Sequence, residues 1–162
     1  NFPHLAESGV HLNINKKFLL KPNIEASLKV NKKMDCNVAI LKLFPGIAKP
    51  ILEAVLKSKL IKGLVLETYG SGNATTDSWF IDLLEKAIKR GVYIINVTQC
   101  SGGSVRMGQY ETSSQLKNIG VISGKDLTTE AAITKLMYLI GQNISRLEFQ
   151  SIFERSLRGE MS

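Results

Sequence analysis

LVLETYGSGNATTD, residues 64–77, is the stretch on which the fold is decided. An apolar run from Leu64 to Leu66 gives way to Gly70-Ser71-Gly72-Asn73, and helix-start residues follow directly. An apolar run closed by glycines and followed by an amphipathic segment is the sequence form of a strand, a loop and a helix. In open parallel sheets ligands bind outside the carboxyl ends of the strands, so any chemistry is to be sought first at this turn.

The same rhythm recurs on both sides. Upstream, NVAILKLFPG places Val38, Ile40 and Leu41 in a strand-like block, and IAKPILEAVLKS resumes with Ile47, Ile51, Leu52, Val55 and Leu56 on one helical face. Pro50 falls early enough to be tolerated in the first turn. Downstream, Asp77 caps SWFIDLLEKAIKRG, whose inward stripe is Phe80, Leu83, Leu84, Ala87 and Ile88 and whose stop is Gly91. A third strand over residues 92–97 ends in the polar loop QCSGGSVRMG.

YETSSQLKN then reads as a short helix, and Ile119, Val121 and Ile122 as a fourth strand. Thr128 opens a further helix that carries Ala132, Ile133, Leu136, Met137 and Ile140 inward, and a last helix over residues 145–157 packs on the outside. This alternation predicts an α/β fold, a three-layer α/β/α sandwich with a small, mostly parallel four-stranded sheet, Rossmann/flavodoxin-like.

Residues 1–35 are irregular: a Phe2-Pro3 start, a short alternation in Val10, Leu12 and Ile14, then polar residues around Lys21 and Pro22. They read as a linker followed by edge strands or a hairpin. With Asn1 in first place and no leader pattern, the chain is expected to be a piece of something longer.

At 162 residues, 44% of them hydrophobic, the chain can bury one sizeable core. Its net charge of +7 raises the question of nucleic acid, but the lysines are scattered. Lys16, Lys17, Lys32 and Lys33 lie in the peripheral segment, and no basic stripe is interleaved with aromatics, so a solvated surface is the better reading. No apolar run of about 18 residues suggests a membrane span. Cys36 and Cys100 sit far apart, without CxxC spacing or a neighbouring histidine, which fits neither a zinc site nor a disulfide framework and suits a reducing cytoplasm.

The glycine turn lacks the later glycine of a dinucleotide fingerprint, and no phosphate-loop lysine motif occurs. Asn73 offers a donor and an acceptor to an amide or carboxylate ligand, or simply tolerates left-handed turn geometry. Thr98, Gln99, Cys100, Ser101 and Ser104 form a second strand-end loop that suits a small polar ligand, or an ordinary loop. A nucleophilic Cys100 would want a nearby base, and His4 and His11 are both peripheral. Ser71 does not sit in a GxSxG elbow. Glu67 and Glu111 are a possible acid-base pair across neighbouring loops, or two solvated carboxylates. The residues by themselves reach an α/β domain with a polar small-ligand face and no further.

GLVLETYGSGNATTD, GVYIINVTQCSGGSVRMGQYETS and GVISGKDLTTEAAITKLMYLIGQ, in that order, resemble the C-terminal domain of the bacterial-type L-asparaginases, nearest the cytoplasmic type I branch. The resemblance covers roughly residues 37–142. It implies an interdomain connection with peripheral strands over residues 1–35 and the asparaginase C-terminal domain over 36–162, without the N-terminal catalytic domain. Enzymes of this family hydrolyse asparagine to aspartate and ammonia with a threonine nucleophile in that N-terminal domain, and its Thr-Gly-Gly-Thr and Thr-Asp-Lys motifs are absent here.

By resemblance, Asn73 reaches the neighbouring subunit's substrate, Ser71 and Gly72 shape its turn, and Tyr110 or Glu111 is a second reach-across position. Type I members can also carry an allosteric asparagine site, whose threonine and cysteine Thr98 and Cys100 resemble. Glu67 stands where an effector-clasping arginine would be, and a carboxylate there repels a carboxylate, so weakened or absent allostery is expected.

The implied function is thus an L-asparaginase C-terminal domain, inactive alone, cytoplasmic, without cofactor or metal. Its implied partners are L-asparagine, its own N-terminal domain and a second subunit, as homodimer or dimer of dimers, with neither nucleic acid nor membrane. The rival readings are a regulatory amino-acid-binding module without catalysis and a purely structural part in oligomer assembly.

Overall fold

The computed structural model describes residues 4–21, 23–109 and 111–162; the Phe2-Pro3 start, Pro22 and Tyr110 lie outside them. Ala6–Ser8 (β1) and Leu12–Ile14 (β2) pair antiparallel as a small hairpin, followed by a 3-10 turn at Lys16–Phe18. The main sheet consists of Val38–Lys42 (β3), Gly63–Thr68 (β4), Tyr93–Thr98 (β5) and Ile122–Ser123 (β6). These strands are parallel and lie in the order β3-β4-β5-β6. Between and after them run Lys49–Leu56 (α1), Ser78–Lys89 (α2), Glu111–Asn118 (α3), Thr129–Gly141 (α4) and Arg146–Phe153 (α5).

Consecutive parallel strands joined by right-handed crossovers put every crossover helix on one face of the sheet. The core divides accordingly. Leu64, Leu66 and Ile94 point to α1, α2 and α3 and pack with Leu52, Leu56, Phe80 and Leu116. Val65, Ile95 and Val97, one residue out of phase, point the other way into Leu127, Leu136, Leu139, Phe149 and Phe153. Burying each such side chain contributes about 2 kcal/mol, so alternation along β4 and β5 is what fixes two layers of helix.

Several elements differ from their sequence expectation. The fourth strand is only Ile122–Ser123. Ile119 and Val121 instead close the end of α3, where Val121 N–H donates to Leu116 O and Gly120 takes φ +94° in a helix stop. On α1 the buried residues are Leu52 and Leu56, while Ile51 is exposed.

Asp77 occupies the N-cap of α2 without a side-chain capping bond; its carboxylate accepts from Thr75 Oγ1 at 2.8 Å. Thr128 does cap α4, accepting from Ala131 N–H at 3.2 Å. The last helix is not merely outside: Phe149 and Phe153 are buried, and Phe149 stacks on Tyr93 with ring centres 3.7 Å apart. On α4 the buried residues are Ala132, Lys135, Leu136 and Leu139, with Ile133 and Ile140 partly buried against the same core.

Lys135 is the unexpected member. Its ammonium donates to Glu160 Oε1 and to Arg155 O, each at 2.6 Å, beneath the C-terminal segment. That segment is pinned in turn, because Glu160 also accepts from the N–H groups of Leu157 and Arg158 and Ser162 N–H donates to Asp126. On the same side of the sheet, residues 31–35 cross α4, with Asp35 N–H on Met137 O at 3.0 Å and Gln142 Nε2 on Lys33 O at 2.8 Å.

Candidate functional site

β4 and β5 end side by side, with Thr68 opposite Thr98, so the two loops singled out in the sequence leave the sheet as neighbours. The first is a closed turn. Tyr69 and Asn73 exchange both backbone hydrogen bonds at 2.8 Å, and Gly72 N–H also reaches Tyr69 O at 3.0 Å. Gly70 and Gly72 take φ of +50° and +105°, a region open to glycine and strained for other residues. The space around Gly72 is filled as well: a Cβ there would lie 2.8 Å from Val105 Cγ1 and 3.1 Å from Asn96 Nδ2.

Every carbonyl of the turn from Gly70 to Asn73 has a donor. Thr98 Oγ1 donates to Gly70 O, Arg106 N–H to Ser71 O at 2.9 Å, Asn96 Nδ2 to Gly72 O at 2.9 Å, and Tyr69 N–H to Asn73 O. The loop after β5 is therefore built over the turn after β4. Asn73 is half-buried, and its Oδ1 accepts from Thr112 Oγ1, in the first turn of α3, at 3.1 Å.

The second loop spends much of its polarity internally. Thr98 is buried, and its hydroxyl both donates to Gly70 O and accepts from Cys100 N–H. Gln99 turns back over the sheet, donating through Nε2 to Leu43 O at 2.7 Å and Glu67 O at 2.9 Å. Cys100 and Ser101 are exposed, and Ser104 is half-buried.

Glu67 and Glu111 are not brought together. Glu67 points to the α4 side, where Thr129 Oγ1 donates to its carboxylate. Glu111 is exposed at the start of α3, on the opposite face of the sheet. Tyr110, the other reach-across candidate, lies outside the described residues. Among the described residues no group of His, Cys, Asp and Glu could hold a metal ion. No helix among them is long and apolar enough to cross a membrane.

Three residues that sequence reasoning passed over belong to the site: Thr68, Asn96 and Thr112. The signal for Asn96 was present, since a carboxamide stands in the middle of the apolar run VYIINVT. A groove of about 680 Å³ lies elsewhere, between residues 29–31, α4 and the C-terminal segment, lined by Tyr138, Leu139 and Ile152 with Lys29 and Arg155. It shares no residue with the strand-end loops, where the converging polar groups are.

Residues 37–153 match the family described as the Glutaminase/Asparaginase C-terminal domain. The whole chain aligns at 35% identity with 47% of L-asparaginase 1 from Escherichia coli. It aligns at 38% identity with 28% of the 60 kDa lysophospholipase of Homo sapiens. Among solved structures, L-asparaginase I from Vibrio cholerae superposes with a TM-score of 0.90 at 35% identity, over all of this chain and 48% of that one. The chain thus spans half or less of the length of these relatives.

Proposed function

Since the chain belongs to the Glutaminase/Asparaginase C-terminal domain family, we propose that it is the smaller half of an L-asparaginase. In this reading it occupies residues 36–162, with 1–35 as the connection to an N-terminal catalytic domain that supplies the threonine nucleophile. Its own task is to complete the active site of a neighbouring subunit through Asn73, with Ser71 and Gly72 holding the turn and Tyr110 or Glu111 adding a second contact.

The observation that carries this reading is the closed turn at the end of β4. All its carbonyls from Gly70 to Asn73 are satisfied, so Asn73 is presented from a rigid support instead of a mobile loop. A carboxamide held this way adds a hydrogen bond to a substrate and moves no proton. That accords with a reaction whose nucleophile and base come from elsewhere.

The surface supports a partner. Val10, Ile24 and Leu28 are each more than nine-tenths exposed, and Leu12, Leu20 and Val30 are more than half exposed. So much bare apolar surface in one N-terminal stretch marks an interaction face, here assigned to the N-terminal domain or a second subunit. Two exposed free thiols suit a reducing, cytoplasmic setting.

The regulatory reading is less well supported. Thr98 has its hydroxyl committed to Gly70 and Cys100, and Glu67, on the opposite face of the sheet and bonded by Thr129, stands where the resemblance would want an arginine to clasp an effector's carboxylate. Calorimetric titration of this chain with L-asparagine is expected to show no tight binding, and tight binding would restore that reading. The main proposal is tested by expressing the whole reading frame that contains this chain. Asparagine hydrolysis by that product and none by residues 1–162 supports it; ammonia release by residues 1–162 alone at a comparable rate would overturn it.

A further inference from the structure

Asn96 lies inside β5, wholly buried, on the face it shares with Leu64, Leu66 and Ile94. A buried carboxamide is costly unless its donors and acceptor are all met, and an aliphatic side chain would fill the place without that requirement. Its bonds account for it. Oδ1 accepts from Thr68 Oγ1 at 2.6 Å, while Nδ2 donates to Gly72 O at 2.9 Å and contacts Met107 Sδ at 3.4 Å. Thr68 is itself buried, and its single hydroxyl proton lies between Asn96 Oδ1 and the more distant Val97 O at 3.1 Å. The chain of bonds therefore runs from the sheet through Thr68 and Asn96 into the residue just before Asn73.

The side chain of Asn73 is fixed separately. A carboxamide has two different ends, an oxygen that accepts and a nitrogen that donates. Thr112 Oγ1 occupies the oxygen. Among the described residues none accepts a hydrogen bond from Asn73 Nδ2.

We propose that Asn96 and Thr112 are positioning residues for Asn73: Asn96 locks the backbone of its turn from below, and Thr112 holds its amide oxygen, leaving the nitrogen to donate to a ligand. Asn73 then addresses an acceptor oxygen of the ligand, a carboxylate or an amide carbonyl, and discriminates against a donor in that place. This rests on the assignment of Asn73 as the residue that meets substrate. Neither Asn96 nor Thr112 touches substrate; each acts through Asn73.

The test has two readouts. In the present chain, nitrogen-15 relaxation of the Asn73 side-chain amide is expected to show an ordered group. Thr112→Val, which keeps the shape and removes the hydroxyl, is expected to mobilise that group without changing Tm, and Thr112→Ser to restore it. Asn96→Leu is expected to raise hydrogen exchange of Gly72 and Asn73 N–H at least about tenfold, the size of one lost buried hydrogen bond. Should Asn96→Leu fail to fold, the Thr112 pair still decides.

In the product of the whole reading frame, Thr112→Val is expected to raise KM for L-asparagine about tenfold while kcat changes less than about twofold, with Thr112→Ser close to wild type. An Asn73 amide equally ordered in Thr112→Val overturns the proposal. If Asn73→Ala raises KM and Thr112→Val does not, the positioning role is wrong and the role of Asn73 stands. If Asn73→Ala leaves KM unchanged, the assignment of Asn73 falls and this inference with it.

Discussion

The Lys135 ammonium sits 2.6 Å from the Glu160 carboxylate, with the lysine only 6% exposed and the Phe153 ring 5.3 Å away. One ion pair thus joins α4 to the last turn of the chain. Burial opposes ionisation of Glu160, but hydrogen bonds from Lys135 and from the N–H groups of Leu157 and Arg158 prevail, and its carboxyl titrates at about 2. For Lys135 burial dominates and lowers the pKa, with Glu160 only partly offsetting it. The two directions are compatible: the backbone N–H groups help the carboxylate and do nothing for the ammonium.

Acid should therefore unfold the chain through this pair. A carboxyl lowered from 4.5 to about 2 on folding contributes stability that is whole above pH 4.5 and is lost as pH falls toward 2. Thermal melts across that window should show Tm of the wild type falling more steeply than that of Glu160→Gln. Equal slopes would mean that another group governs the acid limb.

Removing one partner should cost more than removing both. Glu160→Gln leaves a buried ammonium without its counter-ion, at about 3 kcal/mol, whereas Lys135→Met with Glu160→Gln should recover most of the loss. Urea unfolding of the single and double variants measures the difference.

Gly72→Ala should destabilise by about 2–4 kcal/mol, because φ is positive and the added Cβ meets Val105 at 2.8 Å. Gly46→Ala, also at positive φ but with nothing within 4 Å, should cost only about 1–2 kcal/mol. Parallel denaturation curves separate the steric cost from the conformational one.

The helix that closes the sheet offers a graded pair. Ser145 Oγ accepts from Glu148 N–H at 3.3 Å, and Glu148 Oε2 accepts from Ser145 Oγ at 2.6 Å, so Ser145→Ala should cost about 1 kcal/mol. Phe149→Ala, which empties a place against Tyr93 and Phe153, should cost about 3–5 kcal/mol. Calorimetric Tm values should keep that order.

Val10 is 96% exposed on the hairpin tip, so Val10→Lys should leave Tm of this chain within about 1 °C of wild type. If the hairpin is part of the assembly face, the same substitution in the whole gene product should lower its oligomeric mass in light scattering. An unchanged mass would place that face elsewhere.

Much of the fold was legible because β4 and β5 are apolar runs, buried on both faces and closed by polar, glycine-rich loops, and because Thr128 and Gly91 mark helix ends through local chemistry. Lys135 was not, since a lysine on a helix reads as solvated until the acid that covers it, twenty-five residues on, is placed above it. The site was half legible. Asn73 and the Thr98 loop stood out as polar residues at strand ends, and their proximity follows from pairing of β4 with β5. Asn96 was marked by its place in an apolar run but its partner Gly72 was not, and Thr112 was hidden because it matters only through a contact distant in sequence, with Asn73. The Glu67–Glu111 pairing failed because the two carboxylates belong to opposite faces of the sheet, which no spacing reveals.

The unreversed strand order governs how the chain folds while it is being made. The first core needs only helices that interleave with the strands, so it can close as each strand emerges. The other core draws nothing from between the strands: Val65, Ile95 and Val97 wait for residues 127–161. At ordinary synthesis rates that leaves the back of a nearly complete parallel sheet bare for roughly 2–7 s on the ribosome. That face of the sheet is the last surface of this chain to gain its cover.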